Sequence, residues 1–246
     1  MKKITLNIEN QNIQFNREII STFFIENKVL NNWDESFYID SHLKEMHFKN
    51  FDINQIEKLL SINTEVSVIY SNNRKNLDFS KTSKMGFILT KNTISIEITL
   101  LKHFLTLSKI DYLWLHLETF YWDLGGEGFL YAKVTDLKDF NVAGKTKGFK
   151  RAKWNLSFPF SWRYIGDEKS YAKNYTKEVL LKAPFFKVKD EKESHISIQY
   201  YNEVFEYLND KNFERIEDIF TYLSQNNNTP EQIEAYYKKI ENKKIV

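Results

Sequence analysis

The chain is organised around residues 110–136, which read IDYLWLHLETFYWDLGGEGFLYAKVTD. Between residues 112 and 122, leucines alternate with aromatic and polar residues. A β-strand points successive side chains to opposite faces, so this alternation predicts a strand with an aliphatic face and an aromatic-polar face. The glycines of residues 124–128 suit a turn that needs positive φ angles, and the alternation resumes over residues 129–135. The stretch therefore predicts a central β-hairpin with a wide glycine-rich connection.

The leucine face of this hairpin is the better core candidate, and the opposite face is a candidate binding surface. Large aromatic side chains with polar tips contribute contact area at low entropic cost. A helix or a second sheet covering that face is the alternative, because a sheet buried on both sides has a similar pattern. The candidate partner-binding residues are Trp114, His116, Glu118, Phe120, Trp122, Tyr131 and Lys133.

The composition limits the classes of protein to which the chain can belong. The chain has 246 residues, of which 42% are hydrophobic and 16% aromatic, so it has enough apolar material for a folded core. It has no cysteine, which excludes disulfides, thiolate zinc sites and cysteine nucleophiles. The formal net charge of +2 gives no global electrostatic case for nucleic acid. No secretory signal or membrane-spanning run is recognisable, so we expect a cytoplasmic protein that does not enter a membrane.

Periodicity predicts an α+β fold in a single domain, residues 1–246. Strand-like segments dominate up to about residue 165, and helix-like spacing follows over about residues 170–242. That order predicts an antiparallel sheet of hairpins with a helical C-terminal layer. The segments predicted as strands are 3–15 (a hairpin), 36–40, 64–70, 86–90, 93–100 and 154–164. The segments predicted as helices are 52–60, 170–182, 198–208, 213–223 and the segment that begins with the capping box Thr229–Gln232.

No catalytic, metal or cofactor motif is complete. His116-Leu-Glu118 matches the start of the zinc deaminase signature, but the cysteines that this signature needs are absent. Two alternatives to a binding protein stay open. Carboxylates around the 112–131 hairpin (Glu118, Asp123 and Glu127) suit a carboxylate-dependent hydrolase if they converge with His116. The basic-aromatic stretch 145–164 suits single-stranded nucleic acid, with contacts from Lys145, Lys147, Lys150, Arg151 and Lys153.

Residues 30–100 have a recognisable layout. Trp33 is followed by the predicted helix 51–60, then by Asn73-Arg74, and then by Met85–Leu89 before a hairpin. This layout resembles that of immunity proteins of bacterial polymorphic toxin systems. The resemblance implies a non-enzymatic cytoplasmic protein that binds a cognate toxin and blocks its active site. Because inhibitors of strongly basic nucleases are usually acidic, the near-neutral charge favours another kind of toxin, or a local acidic patch.

Overall fold

The computed structural model describes residues 2–10, 18–19, 21–23, 36–40, 45–48, 53–62, 65–71, 84–90, 94–101, 107–136, 161–204 and 209–243. The chain divides into two compact units, residues 1–136 and 137–246. The organisation as a single domain stays a prediction. The fold class is α+β, as the sequence predicts.

Unit 1 contains a fully antiparallel run of strands in the order β3-β2-β4-β5-β6-β1-β7. Most of these strands lie where the period-two patterns predict them. The strands are β1 (Lys2–Asn10), β2 (Ser36–Asp40), β3 (Glu45–Phe48), β4 (Glu65–Ser71), β5 (Lys84–Thr90), β6 (Ile94–Leu101) and β7 (Phe129–Asp136).

Strand β1 lies between β6 and β7, with Ile8 opposite Ile96 on one side and Leu130 on the other. Both of its edges are occupied, so the prediction that it forms a hairpin with residues 13–15 is wrong. Those residues themselves lie outside the described part of the chain. The central position of β1 agrees with the complete burial of Ile8.

The predicted strand over residues 112–122 is wrong, because residues 107–123 form a helix. Helix α1 spans Ile53–Ile62, as its pattern predicts, and helix α2 spans Leu107–Asp123. The buried side chains of α2 recur at helical spacing, whereas Leu115, which a strand would place with Leu113 and Leu117, is exposed. The buried set is Ile110, Leu113, Trp114, Leu117, Phe120 and Tyr121.

The glycines after α2 end the helix rather than connect two strands. Gly125 N–H donates to Trp122 O at 2.9 Å, and Gly126 N–H donates to Tyr121 O at 2.8 Å. With Gly125 at φ 91°, these bonds form a Schellman motif, which satisfies carbonyls at the end of the helix. The chain then enters β7, so the wide hairpin connection is a helix-to-strand turn.

We expect Gly125→Ala to lower the free energy of unfolding by about 1 kcal/mol. A Cβ at this position meets no heavy atom within 4 Å, so the cost comes from the left-handed backbone alone. Gly125→Asn is the matched control and should lose less, because asparagine tolerates this conformation better. Urea denaturation checks both variants, and an unchanged midpoint for Gly125→Ala would contradict the assignment of this cap.

Unit 2 contains three antiparallel strands and several helices within the described residues. Strand β10 pairs with β8 on one side and with β9 on the other. The strands are β8 (Ser161–Gly166), β9 (Lys187–Asp190) and β10 (Ile196–Gln199), and the helices are α3 (Glu168–Tyr171), α4 (Lys177–Lys182), α5 (Asp210–Gln225) and α6 (Pro230–Lys243).

Two helix predictions in unit 2 need correction. The helix predicted over residues 198–208 is wrong at its start, because residues 196–199 form strand β10; residues 205–208 lie outside the described chain. The helix predicted over residues 170–182 is divided into α3 and α4. Each has its own N-cap, because the Asp167 carboxylate accepts from Ser170 N–H and the Thr176 hydroxyl accepts from Val179 N–H.

The last two helices agree with the sequence pattern. Ile216, Ile219 and Leu223 form the buried face of α5. At the start of α6, Thr229 N–H donates to Gln232 Oε1 at 2.8 Å, and Gln232 N–H donates to Thr229 Oγ1 at 3.3 Å. This reciprocal pair is the predicted capping box, with Pro230 as the first helical residue.

The core of unit 2 is rich in tyrosine. Gly166 leaves room for the hydroxyl groups of Tyr164 and Ser170, since a Cβ at position 166 would collide with the Tyr164 hydroxyl and lie 2.5 Å from Ser170 Oγ. Those two groups hydrogen-bond each other at 2.7 Å. Burial is the main cause that raises the pKa values of Tyr164, Tyr171 and Tyr200 well above the ordinary value. The fully buried tyrosines are Tyr121 of unit 1 and Tyr164, Tyr171, Tyr175, Tyr200 and Tyr201 of unit 2.

We expect the free energy of unfolding of unit 2 to fall as the pH rises above about 10, the ordinary tyrosine pKa. Burial raises the pKa of Tyr175 to about 12, so the unfolded chain releases its phenolic proton at a lower pH than the folded chain does. Below pH 10 the phenol is neutral in both states and its contribution is constant. Urea titrations from pH 8 to 11.5, followed by circular dichroism, measure the effect.

Tyr175→Phe is the control for this prediction, and it should make the loss of stability with pH shallower. A free energy of unfolding that stays constant to pH 11.5 would contradict the neutral buried tyrosines.

Candidate functional site

Helix α2 carries an exposed face opposite its buried stripe. Leu115 is 58% exposed and Tyr112 is 47% exposed, so two large side chains lie one turn apart on the solvent side of a helix that packs on a sheet. His116 is half-buried, and its ring lies edge-on to the Tyr112 ring with centroids 4.3 Å apart. Asp111, Thr119 and Asp123 are also exposed. We call Asp111, Tyr112, Leu115, His116, Thr119 and Asp123 the α2 outer face.

A cleft of about 230 Å³ adjoins the α2 outer face within unit 1. Part of its floor is aromatic, because Phe23 and Phe120 are buried and stack with ring centroids 4.2 Å apart. The residues that line the cleft are Glu18, Ile19, Thr22, Phe23, His116, Thr119, Phe120 and Asp123.

The cleft has an acidic character. Glu18 and Asp123 contribute carboxylates to its lining, and none of the described residues that line it is a lysine or an arginine. Both carboxylates are exposed, so bulk solvent weakens their field but leaves its sign. A cation, or a basic side chain of a partner, is therefore the complementary group for this part of unit 1.

Several predicted partner-binding residues lie inside unit 1 rather than on its surface. Trp114, Phe120 and Tyr131 are between 4% and 5% exposed. Burial of Tyr131 beside the completely buried Leu130 shows that β7 is covered on both faces at this point, which is the alternative that the sequence left open. These three side chains lack the exposure that a contact surface requires.

The other predicted partner-binding residues have mixed positions. Glu118 is half-buried, and its Oε2 accepts from Trp114 Nε1–H at 3.0 Å. Trp122 is half-buried and lies edge-on to Tyr121, with centroids 5.2 Å apart. Lys133 lies in β7, and its side chain is outside the described part. Of the predicted set, only His116 belongs to the α2 outer face, so the partner contacts stay a prediction.

Sequence reasoning missed Leu115, which the strand pattern assigned to the core, and Glu18, which lies outside every predicted strand and helix. Helical spacing could have identified Leu115 as exposed, because Ile110, Leu113, Trp114 and Leu117 follow the i, i+3, i+4, i+7 rule and Leu115 does not. For Glu18 the sequence carries no comparable signal, since its approach to His116 depends on tertiary packing.

The two alternative sites have different outcomes. For the hydrolase, Asp123 and His116 do line one cleft, whereas Glu127 is not part of its lining and Glu118 bonds to Trp114. For nucleic acid, the five basic residues from Lys145 to Lys153 lie outside the described chain. Trp162, the nearest described aromatic of that stretch, is 3% exposed, and its Nε1–H donates to Asn202 O at 3.2 Å. It is therefore buried rather than open for base stacking.

No described helix is long and apolar enough to cross a membrane. No group of three or more histidine, aspartate or glutamate side chains lies within metal-binding reach of one another in the described ranges.

No protein-family model matches the chain, and no curated protein matches it. Three solved chains match its fold. One is the Pseudomonas aeruginosa T6SS protein PA0821, with a TM-score of 0.52 and 11% identity, covering 83% of this chain and 67% of that one. Another belongs to the complex of the toxic C-terminal tip of CdiA from Pseudomonas aeruginosa with its immune protein. Its TM-score is 0.32 at 10% identity, covering 56% of this chain and 90% of that one.

At 11% identity, the likeness to the T6SS protein shows the fold alone, and a TM-score of 0.32 carries no argument. The comparison therefore supports a likeness of fold to the T6SS protein, and a role as a toxin immunity protein stays a prediction.

Proposed function

We propose that this chain is a non-enzymatic cytoplasmic protein that neutralises a cognate bacterial toxin by binding it directly. The observation that carries the proposal is the α2 outer face, where Tyr112 and Leu115 project from a helix whose other side is fixed in the core. Rigid aromatic and aliphatic side chains on a helix are effective anchors, because little conformational entropy is lost when a partner covers them.

The acidic cleft beside this face gives the proposal its electrostatic part. Glu18 and Asp123 offer carboxylates to a basic group of the toxin, while the net charge of the chain is +2. The acidic character is therefore local. A near-neutral inhibitor that binds a basic group is expected to have such a local acidic patch. Exposed charges of this kind mainly accelerate association and select the partner, whereas the apolar anchors supply most of the affinity.

Truncation of the anchors should weaken the complex without unfolding the protein. We expect Tyr112→Ala and Leu115→Ala each to cost about 1–2 kcal/mol of binding free energy, which is roughly a tenfold increase in Kd. Because both side chains are about half exposed, each change should alter the free energy of unfolding by only about 0.5 kcal/mol. Ile62→Ala is the matched control, since Ile62 is a 72% exposed apolar residue on helix α1.

The measurement begins with affinity capture from lysate of the source cells by the wild-type protein and the three variants. A candidate toxin is a protein that wild type and Ile62→Ala retain and that Tyr112→Ala and Leu115→Ala lose. That protein is then produced alone in a test host. We expect its production to arrest growth. Co-production of the wild type should relieve the arrest, whereas co-production of the double variant Tyr112→Ala/Leu115→Ala should not. Equal protection by the double variant and wild type would contradict the proposed surface.

A second candidate function, carboxylate-dependent hydrolysis, is favoured by one observation: His116, Asp123 and Glu18 line one cleft. A histidine beside carboxylates is a usual arrangement for general acid–base chemistry. Titration of the toxin's activity separates the two functions. An inhibitor reaches full effect at one equivalent and releases active toxin after separation, whereas a hydrolase acts substoichiometrically and leaves the toxin or its substrate chemically altered.

A further inference from the structure

Strand β9 lies at the end of the strand order β8-β10-β9 of unit 2. It pairs with β10 along one edge, and none of the described strands pairs with its other edge. The strand is accessible, because Lys187, Lys189 and Asp190 are exposed and Val188 is half-buried. β9 therefore has an open edge that solvent can reach.

The hydrogen bonds next to β9 show which of its backbone groups face the open edge. Glu191 N–H donates to His195 O of the paired segment at 3.1 Å. Because the direction of these bonds alternates along an antiparallel strand, the odd-numbered residues of β9 bond to β10. The N–H and C=O groups of Val188 and Asp190 therefore point outward. Among the described residues, none is hydrogen-bonded to these four backbone groups.

The face of β9 that carries Lys187 and Lys189 is basic. Lys189 Nζ lies 2.9 Å from Glu191 Oε1, so its charge is partly offset. Lys187 Nζ lies 5.7 Å from the centroid of the Phe186 ring, and the guanidinium carbon of Arg215 lies 5.2 Å from the same centroid. Two cations thus flank one ring at the start of β9, and neither forms an ion pair with a described carboxylate.

The opposite face of β9 has little net charge. Asp190 is ion-paired with Lys177 of helix α4, which offsets its carboxylate. Val188 shares this face and is half-buried. A strand added at the open edge would therefore meet cations on one face and an apolar side chain on the other.

These charges decide which kind of strand fits the edge. A second copy of β9, paired antiparallel, would place lysines opposite lysines, and like charges directly opposite each other destabilise a strand pair. Lysines on an edge strand protect a sheet against self-association in this way. A strand with acidic residues on the same face would be attracted instead, because opposite charges across a strand pair are stabilising.

We propose that β9 is a docking edge for an extended segment of another protein. The segment adds to unit 2 as an antiparallel strand, with acidic residues on the lysine face and apolar residues on the Val188 face. Main-chain hydrogen bonds supply the affinity in this mode of recognition, and alternate side chains supply the selectivity. With four backbone groups available, one short segment should bind with a Kd on the order of 0.1–1 mM. The proposal does not rest on the α2 outer face, which belongs to unit 1.

The probe is an acetylated and amidated hexapeptide of alternating glutamate and valine, titrated into the full-length ¹⁵N-labelled protein. We expect saturable shifts of the β9 amide resonances. At saturation, the amide protons of Val188 and Asp190 should exchange with solvent roughly fivefold more slowly or better, because they become hydrogen-bonded. The amide protons of Lys187 and Lys189 should change less, since they already donate to β10.

N-methylation of the peptide tests the backbone bonds. Residues directly opposite each other share a face of the sheet, so the valine N–H groups of the peptide point to β9 and the glutamate N–H groups point away. Methylation of the valine nitrogens should abolish saturable binding, whereas methylation of the glutamate nitrogens should leave the Kd within about twofold. Equal effects of the two methylated peptides would overturn strand addition.

Lys187→Glu tests the selection by charge. It should weaken binding of the glutamate–valine peptide about three- to tenfold and strengthen binding of a lysine–valine peptide. Lys173→Glu is the matched control, because Lys173 is an exposed lysine outside β9. An unchanged Kd in Lys187→Glu, or equal weakening by the two variants, would overturn this selection.

Two further outcomes would overturn the proposal. One is the absence of saturable shifts with the glutamate–valine peptide. The other is a concentration-dependent shift of the Val188 and Asp190 amides without peptide, which would assign the edge to a second copy of this chain. Amide spectra of the variants that are unperturbed outside β9 establish beforehand that the variants are folded.

Discussion

Packing of helix α2 against strands β1 and β7 is the contact on which unit 1 depends. Its buried face brings large side chains, including Trp114, Phe120 and Tyr121, onto strands that contribute Ile8, Leu130 and Ala132. Complete burial of one large apolar side chain contributes about 1.5–3 kcal/mol, so this face supplies a large part of the stability of the unit. The Schellman motif at Gly125 ends the helix at the point where the chain must turn into β7.

The same packing determines what α2 exposes. Because the helix is held along one side, its opposite side is presented in a fixed orientation, and Tyr112 and Leu115 cannot turn inward without removing Leu113 or Trp114 from the core. A contact surface built on a fixed helix positions its anchors more accurately than a loop does. Phe120 belongs both to the core and to the aromatic floor of the adjoining cleft, so one side chain stabilises unit 1 and shapes the candidate site.

Much of the fold was predictable from local pattern. Strands β4, β5 and β6, helix α1, helix α5 and the capping box of α6 follow directly from apolar spacing and cap residues. The error at residues 112–122 has a physical cause: Leu113, Leu115 and Leu117 satisfy a period of two, while Ile110, Leu113, Trp114, Leu117, Phe120 and Tyr121 satisfy a period of 3.6. The segment has few β-branched residues but many aromatic ones, so intrinsic propensity does not separate the two structures and packing decides between them. The error at β10 is similar, since Ile198 and Tyr201 also fit helical spacing.

The candidate site was less predictable than the fold. His116 was recognised as a polar residue among aromatics, but the other half of the cleft lining, residues 18–23, comes from a segment about 100 residues earlier in the chain. The open edge of β9 was not predictable either, because residues 187–190 lie outside every predicted strand. No spacing rule shows which edge of a strand stays unpaired, because this depends on the order of the strands in the sheet.

Thiol labelling of single-cysteine variants tests the central claim most directly, and the cysteine-free chain needs no background substitutions. The variants are Tyr112→Cys, Leu113→Cys, Trp114→Cys, Leu115→Cys, His116→Cys and Leu117→Cys, each labelled under native conditions. The helix predicts fast labelling at positions 112 and 115, intermediate labelling at 116, and slow labelling at 113, 114 and 117. Fast labelling at 112, 114 and 116 with slow labelling at 113, 115 and 117 is the signature of a strand, and it would contradict both the helix and the surface proposed on it.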